Sequence, residues 1–105
     1  MAFDCLNIQE VTGFDWDDGN ILKNEIKHNL KWQVIEEVFF NEPLIIVEDF
    51  NHSKELECRC LALGVIDDGT LVSVIFTKRK NRIRVISARA MSKKEREFYE
   101  TNTKV

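Results

Sequence analysis

The sequence predicts an α+β domain, and three observations carry that expectation. Apolar residues recur at helical spacing before position 41, in two successive stripes. From Leu44 to Ala88 short apolar or alternating runs follow one another, separated by turn signals rather than helices. That order is a sequential antiparallel meander, not a series of β-α-β units. Finally, Ser92-Lys-Lys-Glu95 is a capping box that opens a C-terminal helix.

In chain order, residues 1–10 are a weakly patterned lead-in, and Val11 to Trp16 is a candidate short strand. Asp17 stands where a helix N-cap is wanted, with Asp18 near the positive helix start. Leu22, Ile26 and Leu30 give the first stripe. Asn29 is able to take the left-handed conformation that ends a helix near His28, with Leu30 folding back onto the core. Trp32, Ile35, Val38 and Phe39 give a second helix, Lys31 to Phe40, which Asn41-Glu42-Pro43 stops. Leu44 to Val47 reads as a strand and Phe50 to Lys54 as a loop. Leu56 to Ile66 and Leu71 to Thr77 read as strands joined by an Asp68-Gly69 turn. After a Lys80-Asn81 turn, Arg82 to Ala88 alternates, with Ile83, Val85 and Ser87 on one face and Arg82, Arg84, Ile86 and Ala88 on the other. Phe98 is the expected core anchor of the last helix, and Trp16 and Trp32 read as core aromatics.

At 105 residues this is one domain, residues 1–105, large enough to bury a core of its own. No apolar run is long enough to span a bilayer, and no secretory signal is expected. The 3 cysteines, Cys5, Cys58 and Cys60, are too few for a disulfide framework and fit a reducing cytoplasm. Cys58 and Cys60 share a strand face without a C-x-x-C turn, so small buried hydrophobes explain them better than a metal site does.

Charge is segregated. Thr77–Tyr99 holds nine of the fifteen basic residues against Glu95 and Glu97, a net of +7, while residues 1–76 carry a net of −10. Such a run suits an anionic partner, and equally a solvated face or the counterpart of acids elsewhere in the chain.

Several local motifs together resemble the BrnT family of bacterial toxins. The opening Phe14-Asp-Trp16-Asp17 is similar to its F-x-W-D, and Asn24 with Lys27-His28 to its N-x-x-K-H. Val38-Phe39 with Pro43, His52-Ser53, Glu57-x-Arg59 and Leu63-Gly64 continue the pattern. Phe76-Thr77-x-Arg79, Arg84-x-Ile86-Ser87-Ala88-Arg89 and Glu95-Arg96-x-x-Tyr99-Glu100 complete it, so that the likeness runs from Phe14 to Glu100. The chain departs from the pattern at Asn29, where Gly is usual, at Trp32, where Phe is usual, and at Asn20, where Lys is usual. It also lacks the usual Gly between His52 and Glu57.

The resemblance implies a RelE/ParE-like fold and a metal-independent ribonuclease toxin of a type II toxin–antitoxin pair, acting in the cytoplasm to stop translation. It implies a BrnA-like antitoxin as partner, in a heterotetramer that contacts operator DNA through the antitoxin. A non-enzymatic poison that binds a target such as DNA gyrase is the alternative on the same fold. No cofactor and no metal is called for.

RNA cleavage without a metal turns the ribose 2′-OH on the adjacent phosphate. It needs a proton acceptor, cations for the developing charge and help for the leaving 5′ oxygen. The candidates for these roles are His28, His52, Arg59, Arg79, Arg84, Arg89 and Tyr99. Arg suits the phosphate because its planar fork grips two oxygens and stays charged. His28 and His52 titrate near neutrality. Each has a plain structural alternative, at a helix end or ordering a loop. Arg84 and Arg89 equally suit binding the antitoxin or locking the last helix to the sheet, and Tyr99 suits stacking on a base or capping the core. Lys27, Lys78, Arg82, Lys93 and Arg96 are the candidate RNA contacts, together with the N-terminus of the final helix. Glu95 belongs to the capping box.

Overall fold

The computed structural model describes residues 11–21, 29–48 and 59–103. They form a five-stranded sheet with helices on both faces. The strands are β1 (Gly13–Phe14), β2 (Ile45–Glu48), β3 (Arg59–Val65), β4 (Leu71–Arg79) and β5 (Arg82–Ala90). The described helices are α1 (Trp32–Phe40) and α2 (Lys93–Thr103), and residues 18–21 also form a helical turn. The lead-in 1–10, the first helix beyond 21 and the loop carrying His52 lie outside the described residues.

The sheet order is β1-β5-β4-β3-β2. The meander β2 to β5 is antiparallel, as the turn signals require, but β1 pairs with β5 in parallel. The sheet is therefore mixed, which corrects the all-antiparallel expectation. Lys80 and Asn81 have φ of 49° and 65°, the left-handed pair that a two-residue hairpin turn needs to match strand twist. Gly69 supplies φ 93° at the other hairpin. Asn29, at φ 54°, takes the left-handed conformation its side chain tolerates, and Leu30 packs against the core.

One register shift decides which side chains share a face. Ile75 pairs with Ser87 but Phe76 pairs with Val85, so Ile86 has no partner on β4 and forms a β-bulge. The core face accordingly reads Ile83, Val85, Ala88 and not Ile83, Val85, Ser87 as simple alternation predicts. Ser87 moves to the opposite face.

Against the core face packs α1. Ile35 and Val38 join Cys60, Ala62, Val72, Val74, Phe76, Ile83, Val85 and Ala88, with Phe14, Trp16 and Phe39 at the margin. Phe39 stands edge-on to Phe76 with centroids 5.3 Å apart. The Trp16 indole donates to Glu36 at 2.8 Å, tying the chain after β1 to α1. At the other end of α1, Asn41 donates to the Val65 carbonyl and to Asp67, both at 2.9 Å. Cys60 is fully buried as expected but is disulfide-bonded, which corrects the reading of it as a free thiol.

Onto the opposite face packs α2, over Leu63, Met91, Ile45, Leu61 and Leu71. Its anchor is Tyr99, 5% exposed, whose hydroxyl donates to the Pro43 carbonyl at 2.6 Å. Phe98, expected in that role, is 46% exposed. The two are neighbours about 100° apart on the helix, so only one faces the sheet. Tyr99 fits because its polar tip reaches an acceptor at the rim.

Where α1 crosses β3 the approach is close. A Cβ on Gly64 would stand 2.9 Å from Val38 Cγ1 and 3.2 Å from the Val38 carbonyl oxygen. Gly64→Ala is therefore expected to destabilise the fold by about 1–3 kcal/mol, since part of the clash is with backbone. Gly13→Ala, which meets nothing within 4 Å, is expected to cost far less. Urea denaturation of the two variants against the parent measures both.

Candidate nucleic-acid interface

The face of the sheet that carries α2 also carries the arginines. In register across three strands, Arg59 on β3 pairs with Thr77 on β4, and Thr77 with Arg84 on β5. At the usual strand spacing the two arginine backbones are about 10 Å apart, close enough for the long side chains to meet one anion. One row nearer the hairpin, Arg79 pairs with Arg82. Four arginines from three strands thus share one end of one face. Thr77, buried between Arg59 and Arg84, is 1% exposed.

About 13 Å along the strands from Thr77 lies the row Leu63–Ser73–Arg89, where α2 is fastened. There Glu95 is the hub. It accepts from Arg89 through both oxygens, at 2.7 and 3.1 Å, from the Ser73 hydroxyl at 3.2 Å and from the Ser92 amide at 2.8 Å. The Glu95 amide donates back to the Ser92 hydroxyl at 3.2 Å, which completes the capping box. Partial burial works against the Glu95 charge, but the bonds from Arg89, Ser92 and Ser73 outweigh it and hold the carboxyl below the usual glutamate range.

Arg84 is differently engaged. Its Nη2 donates to Asp17 Oδ2 at 2.6 Å, and its Nη1 lies 3.7 Å from Asp15 Oδ1. Asp17 Oδ1 meanwhile accepts the Asn20 amide at 3.0 Å, and Asn20 Oδ1 accepts the Asp17 amide at 2.7 Å. This is a reciprocal N-cap with Asn in the place of Glu or Gln. The Asn20 amide group also donates to the Asp15 and Val85 carbonyls, both at 3.2 Å, so the helical turn is stitched to β5 beside Arg84. The Asn20 amide first, and Arg84 next, hold the Asp17 carboxyl below the ordinary aspartate value.

Of the residues singled out from sequence, Arg59, Arg79, Arg82 and Arg84 come together. Arg89 points to the same face but its guanidinium is bound to Glu95. Lys78 pairs with Ile83 and sits on the core side. Lys93 is exposed at the start of α2, and Arg96 donates to the Met91 carbonyl at 3.0 Å. Tyr99 is buried at its Pro43 contact. Lys27, His28 and His52 lie outside the described residues. The α2 N-terminus is met by its own Ser92 and Glu95. Among the described residues no three His, Cys, Asp or Glu side chains gather closely enough to hold a metal ion. A cleft of ≈ 300 Å³ lies on the α1 side, lined by Phe14, Phe39, Phe40 and Glu36 among others and by no cation.

Sequence reading missed three members of this surface. Asp17 was legible as a helix cap, but not as the partner of Arg84, 67 positions away. Thr77 was legible within the Phe76-Thr77-x-Arg79 motif but not as the neighbour of Arg59 and Arg84, and Asp15 gave no signal of its own, since only the strand pairing sets them beside arginines.

Fold and surface define a small α+β protein with arginines clustered on one sheet face. Over residues 16–95 the chain matches the family described as the ribonuclease toxin, BrnT, of type II toxin–antitoxin systems, and it belongs to that family. Comparison with individually curated proteins returns no match. Membership implies an RNA substrate and an antitoxin partner. No helix among the described residues is long and apolar enough to cross a membrane.

The Glu95 hub has a pH signature. Its carboxyl is depressed when folded, so its stabilisation is complete above the ordinary glutamate value of 4.5 and is lost as pH falls through the lower folded value. Thermal melts are expected to show the melting temperature dropping below that point, and Glu95→Gln is expected to lower it at pH 7 while flattening the acid limb.

Proposed function

We propose that this chain cleaves RNA at the Arg59–Thr77–Arg84 row, as a metal-independent endoribonuclease that stops translation. The observation that carries the reading is the cross-strand register, which sets four arginines on one end of one sheet face. In this chemistry the ribose 2′ oxygen bonds to phosphorus and the 5′ oxygen leaves, giving a 2′,3′-cyclic phosphate and a 5′-hydroxyl end. Charge grows on the non-bridging oxygens as the bond forms. In this reading Arg59 and Arg84, on either side of Thr77, bind those oxygens, and Arg79 and Arg82 hold the neighbouring phosphates. Arg89 and Tyr99 act at one remove, by fixing α2 to the sheet. His28 and His52 are the candidates for moving the 2′ and 5′ protons.

The partner in this reading is a BrnA-like antitoxin, bound in a heterotetramer and contacting operator DNA itself, with the toxin of RelE/ParE-like fold in the cytoplasm. Cytoplasmic action now leans on the RNA substrate rather than on the cysteine count. An antitoxin segment rich in Asp and Glu suits the same arginine rows, so that neutralisation and substrate binding compete for one surface.

Purified, antitoxin-free protein is expected to cut RNA in excess EDTA and leave cyclic-phosphate ends. Arg84→Ala and Arg59→Ala are each expected to lower kcat/KM by about 10²–10³-fold with circular dichroism unchanged. Intact RNA after long incubation with folded protein, or cleavage that EDTA abolishes, counts against the reading.

A further inference from the structure

We infer that Asp17 is a positioning residue for Arg84, fixing its guanidinium at the β1 edge of the sheet face that also carries Thr77 and Arg59. This rests on the reading that Arg84 grips an RNA phosphate.

The geometry assigns the two oxygens of Asp17 separate tasks. Oδ1 is committed to the Asn20 amide and so to the helix start, while Oδ2 takes Arg84 Nη2 at 2.6 Å. The first task makes the second rigid. Asn20 fixes the carboxylate from the helix side and is itself held to the Val85 carbonyl, one residue from Arg84. Asp15 stands 3.7 Å from Nη1, so the guanidinium has an acid near each terminal nitrogen on its β1 side. Arginine carries five N–H donors, and these contacts leave others for an anion on the far side. Its side chain is 23% exposed, against 51% for Asp17 and 37% for Asp15, so the acids meet solvent more fully than the cation they hold. An RNA phosphate approaching Arg84 therefore meets two carboxylates as well. Asp17 favours the oriented cation but weakens simple attraction. Orientation and affinity thus pull in opposite directions, which a general structural role does not produce.

Asp17→Asn separates the tasks, because Asn caps a helix about as well as Asp but cannot pair with Arg84. The variant is expected to melt within about 4 °C of the parent. Its kcat is expected to fall about 10- to 100-fold through misaimed Arg84. A non-cleavable 2′-deoxy oligonucleotide is expected to bind about 2- to 5-fold more tightly for the lost negative charge. In an Arg84→Ala background the same substitution is expected to change kcat by less than about 2-fold, since the two act as a unit. Nitrogen-15 spectra are expected to show resolved Arg84 guanidinium signals in the parent that average together in Asp17→Asn.

Unchanged kcat in Asp17→Asn, or a loss of kcat that persists undiminished without Arg84, overturns the inference. So does a loss that tracks melting temperature and is matched in stability by Asp17→Ala. If the parent cuts no RNA, the catalytic reading fails, and the Arg84 signals and the binding of the 2′-deoxy oligonucleotide decide the positioning role alone.

Discussion

The unpaired Ile86 on β5 is the constraint on which the arrangement of this molecule depends. In an unbroken strand Arg84 and Arg89 would fall on opposite faces, because their spacing is odd. The bulge adds one residue and brings both to the face that carries α2. It also lets Val85 and Ala88 both reach the core under α1. Without it one of the two helical layers would lose its match to the sheet. A single extra residue thus reconciles a buried apolar face with a cationic one over nine residues of chain.

The basic stretch itself divides in two around that point. On the hairpin side the arginines lie in rows across strands, and Arg84 among them is held by Asp17 and Asp15. On the other side Arg89 is drawn into the Glu95 hub, with Ser73 and Ser92, and serves to fasten α2. Charge content alone therefore overstates the interface. What matters is which cations are already satisfied by carboxylates of the same chain, and by which.

Much of the fold was legible because its signals are local. The Ser92–Glu95 box, the Lys80-Asn81 and Asp68-Gly69 turns, the left-handed Asn29 and the Ile35–Val38 stripe each depend on residues a few positions apart. What stayed hidden depends on partners far along the chain. The parallel docking of β1 follows from Phe14 meeting Ile83, the bulge from the fit of β5 to β4, and the choice of Tyr99 over Phe98 from the position of the Pro43 carbonyl. The site followed the same rule. That Arg82 and Arg84 share a face was readable from alternation, but Thr77 between Arg59 and Arg84 is set only by strand register. The Asp17–Arg84 pair is likewise a product of β1 lying beside β5.

The separation of charge described at the outset has a kinetic meaning as well as a chemical one. A molecule with a net charge of −3 is repelled on average by any polyanion. Along the chain the basic residues gather in Thr77–Tyr99 and the acidic ones before it. In the fold the two signs are not held apart at the arginine rows, since Asp15 and Asp17 stand against Arg84. An approaching polyanion therefore feels attraction and repulsion within one patch, and both weaken as salt shortens the reach of the field to about 8 Å at physiological ionic strength. Capture from a distance is weak, and discrimination is left to the last few ångströms of the approach.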